Sequence, residues 1–142
     1  ISGNKKWWTS AMEETLSSMQ NKSEVIFTGR VSDEELQLLT GSALAMVYVS
    51  FFEGFGIPVL EAMKCNLPVV ASNTSALPEI CGDAALMVDP NSVSAIADAM
   101  KIISGDEQRR SLLIEKGKLH CEIFSWDKSA GLLWKSLEKA PK

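Results

Sequence analysis

The nine residues Glu53-Gly54-Phe55-Gly56-Ile57-Pro58-Val59-Leu60-Glu61 constrain the fold more tightly than any other stretch of this chain. The run before them, Leu44-Ala45-Met46-Val47-Tyr48-Val49, is short and apolar and reads as a buried strand. The run after them, Pro58 to Cys65, reads as a helix, with Pro58 in the first turn where a missing N–H costs nothing. A glycine-bearing turn from strand into helix leaves backbone N–H groups free at a helix N-terminus, a ready site for phosphate. Gly54 and Gly56 let the backbone approach a ligand without a Cβ. Glu53 stands on the loop and Glu61 about one turn inside the helix, and each carboxylate can accept from a pair of neighbouring hydroxyls. Amides between two carboxylates suit a ligand that carries both phosphates and sugar hydroxyls.

The pattern around this segment alternates. Lys6 to Gln20 reads as a helix, with Trp8, Met12, Leu16 and Met19 at three- and four-residue spacing. Val25 to Thr28 is a short β-rich run ended by Gly29. Ser32-Asp33-Glu34-Glu35 has the capping-box pattern and opens a helix that stops near Gly41. A strand at Val69 to Ala71 is followed by the polar loop Ser72 to Ser75 and a short helix at Leu77 to Cys81. Ala85 to Val88 is a further strand, and helices follow from Val93, from about Glu107 to Ile123, and after Ser125. The last helix carries Trp126, Ala130, Leu133, Trp134 and Leu137 on one side. Strands alternating with helices imply an α/β, Rossmann-like parallel sheet with helices on both faces. Ligands of such sheets bind beyond the carboxyl ends of the strands, where Gly29, Ser50 to Gly56 and Ser72 to Ser75 are expected to converge.

Composition excludes several other classes. At 142 residues, with 46% hydrophobic and 23% charged residues, the chain is ordinary for one globular domain. Its net charge of −4 and the lack of any dense basic run give no footprint for nucleic acid. No apolar stretch approaches the roughly 20 residues that span a bilayer. Cys65, Cys81 and Cys121 are odd in number, lack metal-site spacing and read as reduced, buried thiols. His120, the lone histidine, reads as structural. No hydrolase triad order, dinucleotide-binding glycine signature or P-loop is present. Trp7-Trp8 reads as a pair in which one ring packs under the sheet, with a partner interface as the alternative.

The nonapeptide resembles the E-x7-E motif of the family 4 retaining glycosyltransferases, which have the GT-B fold. The resemblance continues in order through Val25-Ile26-Phe27-Thr28-Gly29-Arg30-Val31-Ser32-Asp33-Glu34-Glu35-Leu36 and Glu61-Ala62-Met63-Lys64-Cys65-Asn66-Leu67-Pro68-Val69-Val70-Ala71-Ser72. It reaches Ala84-Ala85-Leu86-Met87-Val88-Asp89-Pro90 and Phe124-Ser125-Trp126, so its pieces run from about residue 24 to residue 134. It implies that Glu53, the candidate catalytic residue, contacts hydroxyls of the transferred sugar and that Glu61 holds the ribose of the nucleotide. Gly54, Phe55, Gly56 and Ile57 would line the donor and its diphosphate. Backbone groups at Val31 would meet the base, while Arg30 reads equally as a solvated surface charge. Asn73, Thr74 and Ser75 would border the sugar, although turn formation alone also accounts for them.

By the same resemblance, residues 1–142 are an incomplete C-terminal nucleotide-sugar-binding domain, with about 124–142 as its C-terminal helix. Ile1-Ser2-Gly3 reads as the tail of a strand and its turn, so the chain is expected to start within an element. The implied parent enzyme, with a mannosyltransferase as one option, transfers a hexose from a nucleoside-diphosphate sugar to a glycan or lipid-linked acceptor. It does so with retention and without metal or cofactor, in polysaccharide biosynthesis. The alternatives are a sugar-nucleotide epimerase or sugar phosphorylase of the same fold, or a non-catalytic nucleotide-sugar-binding module. The family's Arg and Lys after the first strand, which neutralise the diphosphate, have no match, because Lys5 and Lys6 follow a later strand. Val49 stands where the family commonly has proline. The chain alone is therefore expected to bind donor weakly and to transfer nothing. Its expected partners are the nucleotide sugar and the enzyme's N-terminal domain. The family's strand order would leave a central gap between residues 25–28 and 44–49, to be filled by collapse, by a separate fragment of the enzyme or by a second chain. The implied location is cytoplasmic, with a peripheral position at the inner membrane face as a further option.

Overall fold

A computed structural model describes residues 1–3, 5–6 and 8–139, which divide into two compact units, Ile1–Leu39 and Thr40–Lys142.

The first unit is built on α1 (Ser10–Ser18) and most of α2 (Asp33–Ser42). Thr9 caps α1 by accepting from the Met12 N–H, so the helix starts later than the Lys6 expected from its apolar spacing. The capping box at α2 forms reciprocally: the Ser32 N–H donates to Glu35 Oε2 at 2.8 Å, and the Glu35 N–H donates to Ser32 Oγ at 3.2 Å. The expected strand at 25–28 is not formed. Ile1–Gly3 meets the end of that run in one parallel bridge, Ser2 to Gly29. Two bonds flank the bridge, Gly3 N–H to Gly29 O at 2.9 Å and Thr28 N–H to Ile1 O at 3.0 Å. Propensity at Val25-Ile26-Phe27 cannot make a strand without a ladder partner along its length. Trp8 packs edge-on against Phe27 at 5.1 Å, with Lys5 Nζ over both rings. Trp7 lies outside the described residues.

The second unit contains the sheet, whose order is β1 (Met46–Tyr48), β2 (Val69–Ser72) and β3 (Ala85–Val88), all parallel. β2 is central and every one of its residues is buried. Its side chains alternate between two cores, as the two-residue strand period requires. Val69 and Ala71 join α3 (Ile57–Lys64), α4 (Leu77–Cys81) and Cys121 of α6 (Glu107–Cys121) on one face. Val70 joins Ala99 and Ile103 of α5 (Val93–Gly105), and Leu113, on the other. Helices thus cover both faces, as expected for an α/β parallel sheet. Ser92 and Asp106 cap α5 and α6 through bonds to Ala95 and Arg109 N–H. Ser125 caps α7 (Trp126–Glu138), whose predicted apolar side is present but buries no residue. Among the described residues no helix is long and apolar enough to cross a membrane.

Candidate functional site

β1 and β2 run parallel and in register, so their carboxyl ends, at Tyr48 and Ser72, lie side by side. The loop after each strand is therefore delivered to the same edge. The two loops are tied together. Ser72 Oγ, fully buried, donates to Ser50 O at 2.6 Å, and Thr74 Oγ1 donates to Ser50 O at 3.4 Å and Phe51 O at 3.3 Å. Ser75 Oγ accepts the Glu53 N–H at 3.0 Å. Ser75 adopts φ +54°, a left-handed conformation that a non-glycine residue holds only when its surroundings demand it.

These ties place Glu53, half-buried, at the end of β1. Its Oε2 accepts from Tyr48 Oη at 2.6 Å and its Oε1 from the Gly54 N–H at 3.2 Å. Burial, then the hydrogen bond and the negative charge of Glu53, push the Tyr48 phenol up to about 12. Glu61 lies elsewhere on the same segment. Val59, Leu60, Ala62 and Met63 face the core, which leaves Ile57, Glu61 and Lys64 as the exposed stripe of α3 at i, i+4 and i+7. Glu61 therefore shares a helix face with the first residue of the helix, and its carboxylate has no partner among the described residues.

Three expectations need correction. The Gly54 amide is taken by Glu53 Oε1, so it is not open to a ligand in this arrangement. The amides of Phe55, Gly56 and Ile57 have no acceptor among the described residues and open the N-terminus of α3, with Pro58 in its first turn. Gly56 is glycine for an internal reason: its φ is +105°, and a Cβ would stand 2.8 Å from Leu77 Cδ2. Gly54 is the opposite case, since a Cβ there would meet nothing within 4 Å. Finally, the three cysteines are free but not alike: Cys81 and Cys121 are buried and Cys65 is exposed.

Asn73 is exposed and donates its backbone N–H to Val88 O at 2.8 Å. The Thr74 hydroxyl is engaged in bracing the loop, as above. Arg30 is exposed and Val31 half-buried, both in the first unit. His120 is structural, as read: its Nε2 bonds Ile80 O at 2.8 Å and its ring meets Phe124, which in turn meets Phe55. Tyr48 and Ser72 are the contacts that sequence reasoning missed. Neither belongs to a spaced motif, and only the paired strand ends reveal what they touch. Among the described residues no cluster of His, Cys, Asp and Glu gathers as metal ligands.

A family model described as "glycosyl transferases group 1" matches residues 1–120. The O-antigen chain mannosyltransferase B of Escherichia coli is 38% identical over 127 residues, which make up 89% of this chain and 33% of that protein. Among solved structures, the C-terminal domain of a glycosyl transferase group 1 family protein (LpcC) from Francisella tularensis superposes with a TM-score of 0.69 at 28% identity. That alignment covers 84% of this chain and 63% of that one. Anabaena Alr3699/HepE, solved in complex with UDP and glucose, superposes with a TM-score of 0.85 at 17% identity over 98% of this chain and 40% of its own. The fold is that of GT-B glycosyltransferases. The chain spans about a third of the length of the mannosyltransferase it matches (33%).

Proposed function

The chain belongs to the group 1 glycosyl transferases, and from that membership we propose that it is the donor-binding domain of a retaining, family 4 hexosyltransferase. The substrate would be a nucleoside-diphosphate sugar, with mannose as the sugar because the relative from Escherichia coli is named a mannosyltransferase. The acceptor would be a growing glycan or a lipid-linked sugar, as the words "O-antigen chain" in that relative's name suggest.

One observation carries the proposal. The half-buried Glu53 carboxylate sits at the carboxyl end of β1, directly before the open amides of Phe55, Gly56 and Ile57 at the start of α3. Those amides and the positive end of the helix suit the diphosphate. Glu53 would hold the sugar and Glu61 the ribose, each by accepting from hydroxyls. Asn73 and Thr74 would lie beside the sugar. The chemistry asked of the site is to stabilise charge on the departing diphosphate, an electrostatic task. The bond between the anomeric carbon and the phosphate oxygen breaks, and the acceptor oxygen bonds to that carbon on the same face. The acceptor's proton leaves on the departing phosphate.

Calorimetric titration of the chain with GDP-mannose, UDP-glucose, GDP and UDP tests this. One nucleotide and its sugar derivative should bind, and Glu53→Gln should weaken the sugar derivative by roughly tenfold, the loss expected for charge-assisted hydrogen bonds. Absence of binding by all four would sink the proposal. The chain alone should transfer no mannose to a glycan acceptor, and robust transfer would refute the assignment to a single donor domain.

A further inference from the structure

Glu53 is held at two places. Its backbone is fixed by Ser75 Oγ, which accepts the Glu53 N–H from a left-handed conformation. Its carboxylate is fixed by the Tyr48 hydroxyl at 2.6 Å, which reaches back across the loop from the last residue of β1. A glutamate at the mouth of a site has several rotamers to lose on meeting a ligand, and a donor anchored beforehand removes that cost from binding. Tyr48 is such a donor, because its ring packs against the core cluster beneath β2 and α3 while its hydroxyl stands at the strand end.

We infer that Tyr48 is a positioning residue that aims the Glu53 carboxylate at the sugar hydroxyls of the donor. The inference rests on the donor-domain reading above. An ionised carboxylate offers about four acceptor directions. Tyr48 takes one on Oε2 and the Gly54 N–H takes one on Oε1, so each oxygen keeps a free direction. One free direction on each oxygen suits two hydroxyls on adjacent carbons of a sugar ring. Tyr48 thus acts through Glu53 and touches no donor atom. Ordinary core packing makes a different prediction, since phenylalanine would then replace Tyr48 without consequence for any ligand.

The experiment compares Tyr48→Phe with the unaltered full chain, using GDP-mannose and UDP-glucose as sugar probes and GDP and UDP as their sugar-free counterparts. Affinity for the sugar nucleotide that binds should fall roughly tenfold while its sugar-free counterpart changes by less than about twofold. Equal loss of both, or loss of neither, overturns the positioning role and leaves the donor-domain reading standing. Failure of the unaltered chain to bind any probe overturns both. A second measurement needs no ligand. Tyr48 is the sole tyrosine, so phenolate absorbance reports it alone. At pH 10.0, the ordinary phenol value, the unaltered chain should show little phenolate, and Glu53→Gln should show more. Identical phenolate in the two chains would mean that the hydroxyl does not bond Glu53, and the inference would fail.

Discussion

At Gly56 the backbone takes φ +105° and an added Cβ would press to 2.8 Å on Leu77, which is fully buried. At Gly54, two residues earlier, an added Cβ meets nothing. The two alanine substitutions should therefore separate fold from site. Gly56→Ala should destabilise the chain by about 2 kcal/mol in urea denaturation, through backbone strain and overpacking. Gly54→Ala should leave the denaturation midpoint almost unchanged, because the added methyl meets no atom within 4 Å, and on the donor-domain reading proposed above it should weaken nucleotide-sugar binding. The cysteines divide in the same way. Exposed Cys65 should alkylate quickly at pH 8 in mass-spectrometric labelling, while Cys81, its thiol raised to about 11 by burial, should stay unlabelled until the chain unfolds. Cys81 and Tyr48 both hold their protons more tightly folded than unfolded. The stability they contribute is complete below their ordinary values of 9.0 and 10.0 and is lost as pH rises through about 11 and 12. Melting temperature should accordingly decline from about pH 9 upward.

Helix starts marked by a capping residue are where sequence and structure agree best, because a cap is a local event between residues three apart. Ser32 caps α2 as its pattern predicts, and Ser92 and Ser125 cap α5 and α7 in the same way. Asp106 caps α6 by accepting from the Arg109 N–H at 2.8 Å, and Asp106→Ala should cost about 1 kcal/mol in thermal denaturation. The segment from 46 to 64 was legible for a related reason: an apolar run, two glycines and a first-turn proline each act within a few residues. What failed needed a distant partner. Val25 to Thr28 has strand composition but forms no ladder, since propensity cannot supply a partner, and the bridge from Ser2 to Gly29 lies just past it. The spacing predicts the apolar side of α7, yet periodicity only marks a face and cannot say what covers it. At the site, Glu53 and Glu61 could be picked out from their motif, whereas the Tyr48 and Ser75 bonds to Glu53 depend on a loop turning back on itself. No spacing rule encodes that.

Across the whole chain, burial is uneven. None of the described residues of the first unit is buried, while the second unit carries both cores, with Val59, Val69, Val70, Ala71 and Leu77 fully enclosed. Local opening follows burial, so amide exchange should be slowest in β2 and α3 and far faster in α1. Comparable protection in α1 and β2 would contradict this ordering. The same unevenness decides what light the protein emits. Of its four tryptophans, Trp126 and Trp134 are 84% and 64% exposed on α7, and Trp8 stands among the first unit's aromatics. None of these three lies in either core. Emission from these three indoles should already be red-shifted toward that of solvated tryptophan. An unfolding curve recorded from their emission will follow α7 and the surroundings of Trp8, while the melting of the sheet and its core helices passes almost unseen by these three and shows in circular dichroism.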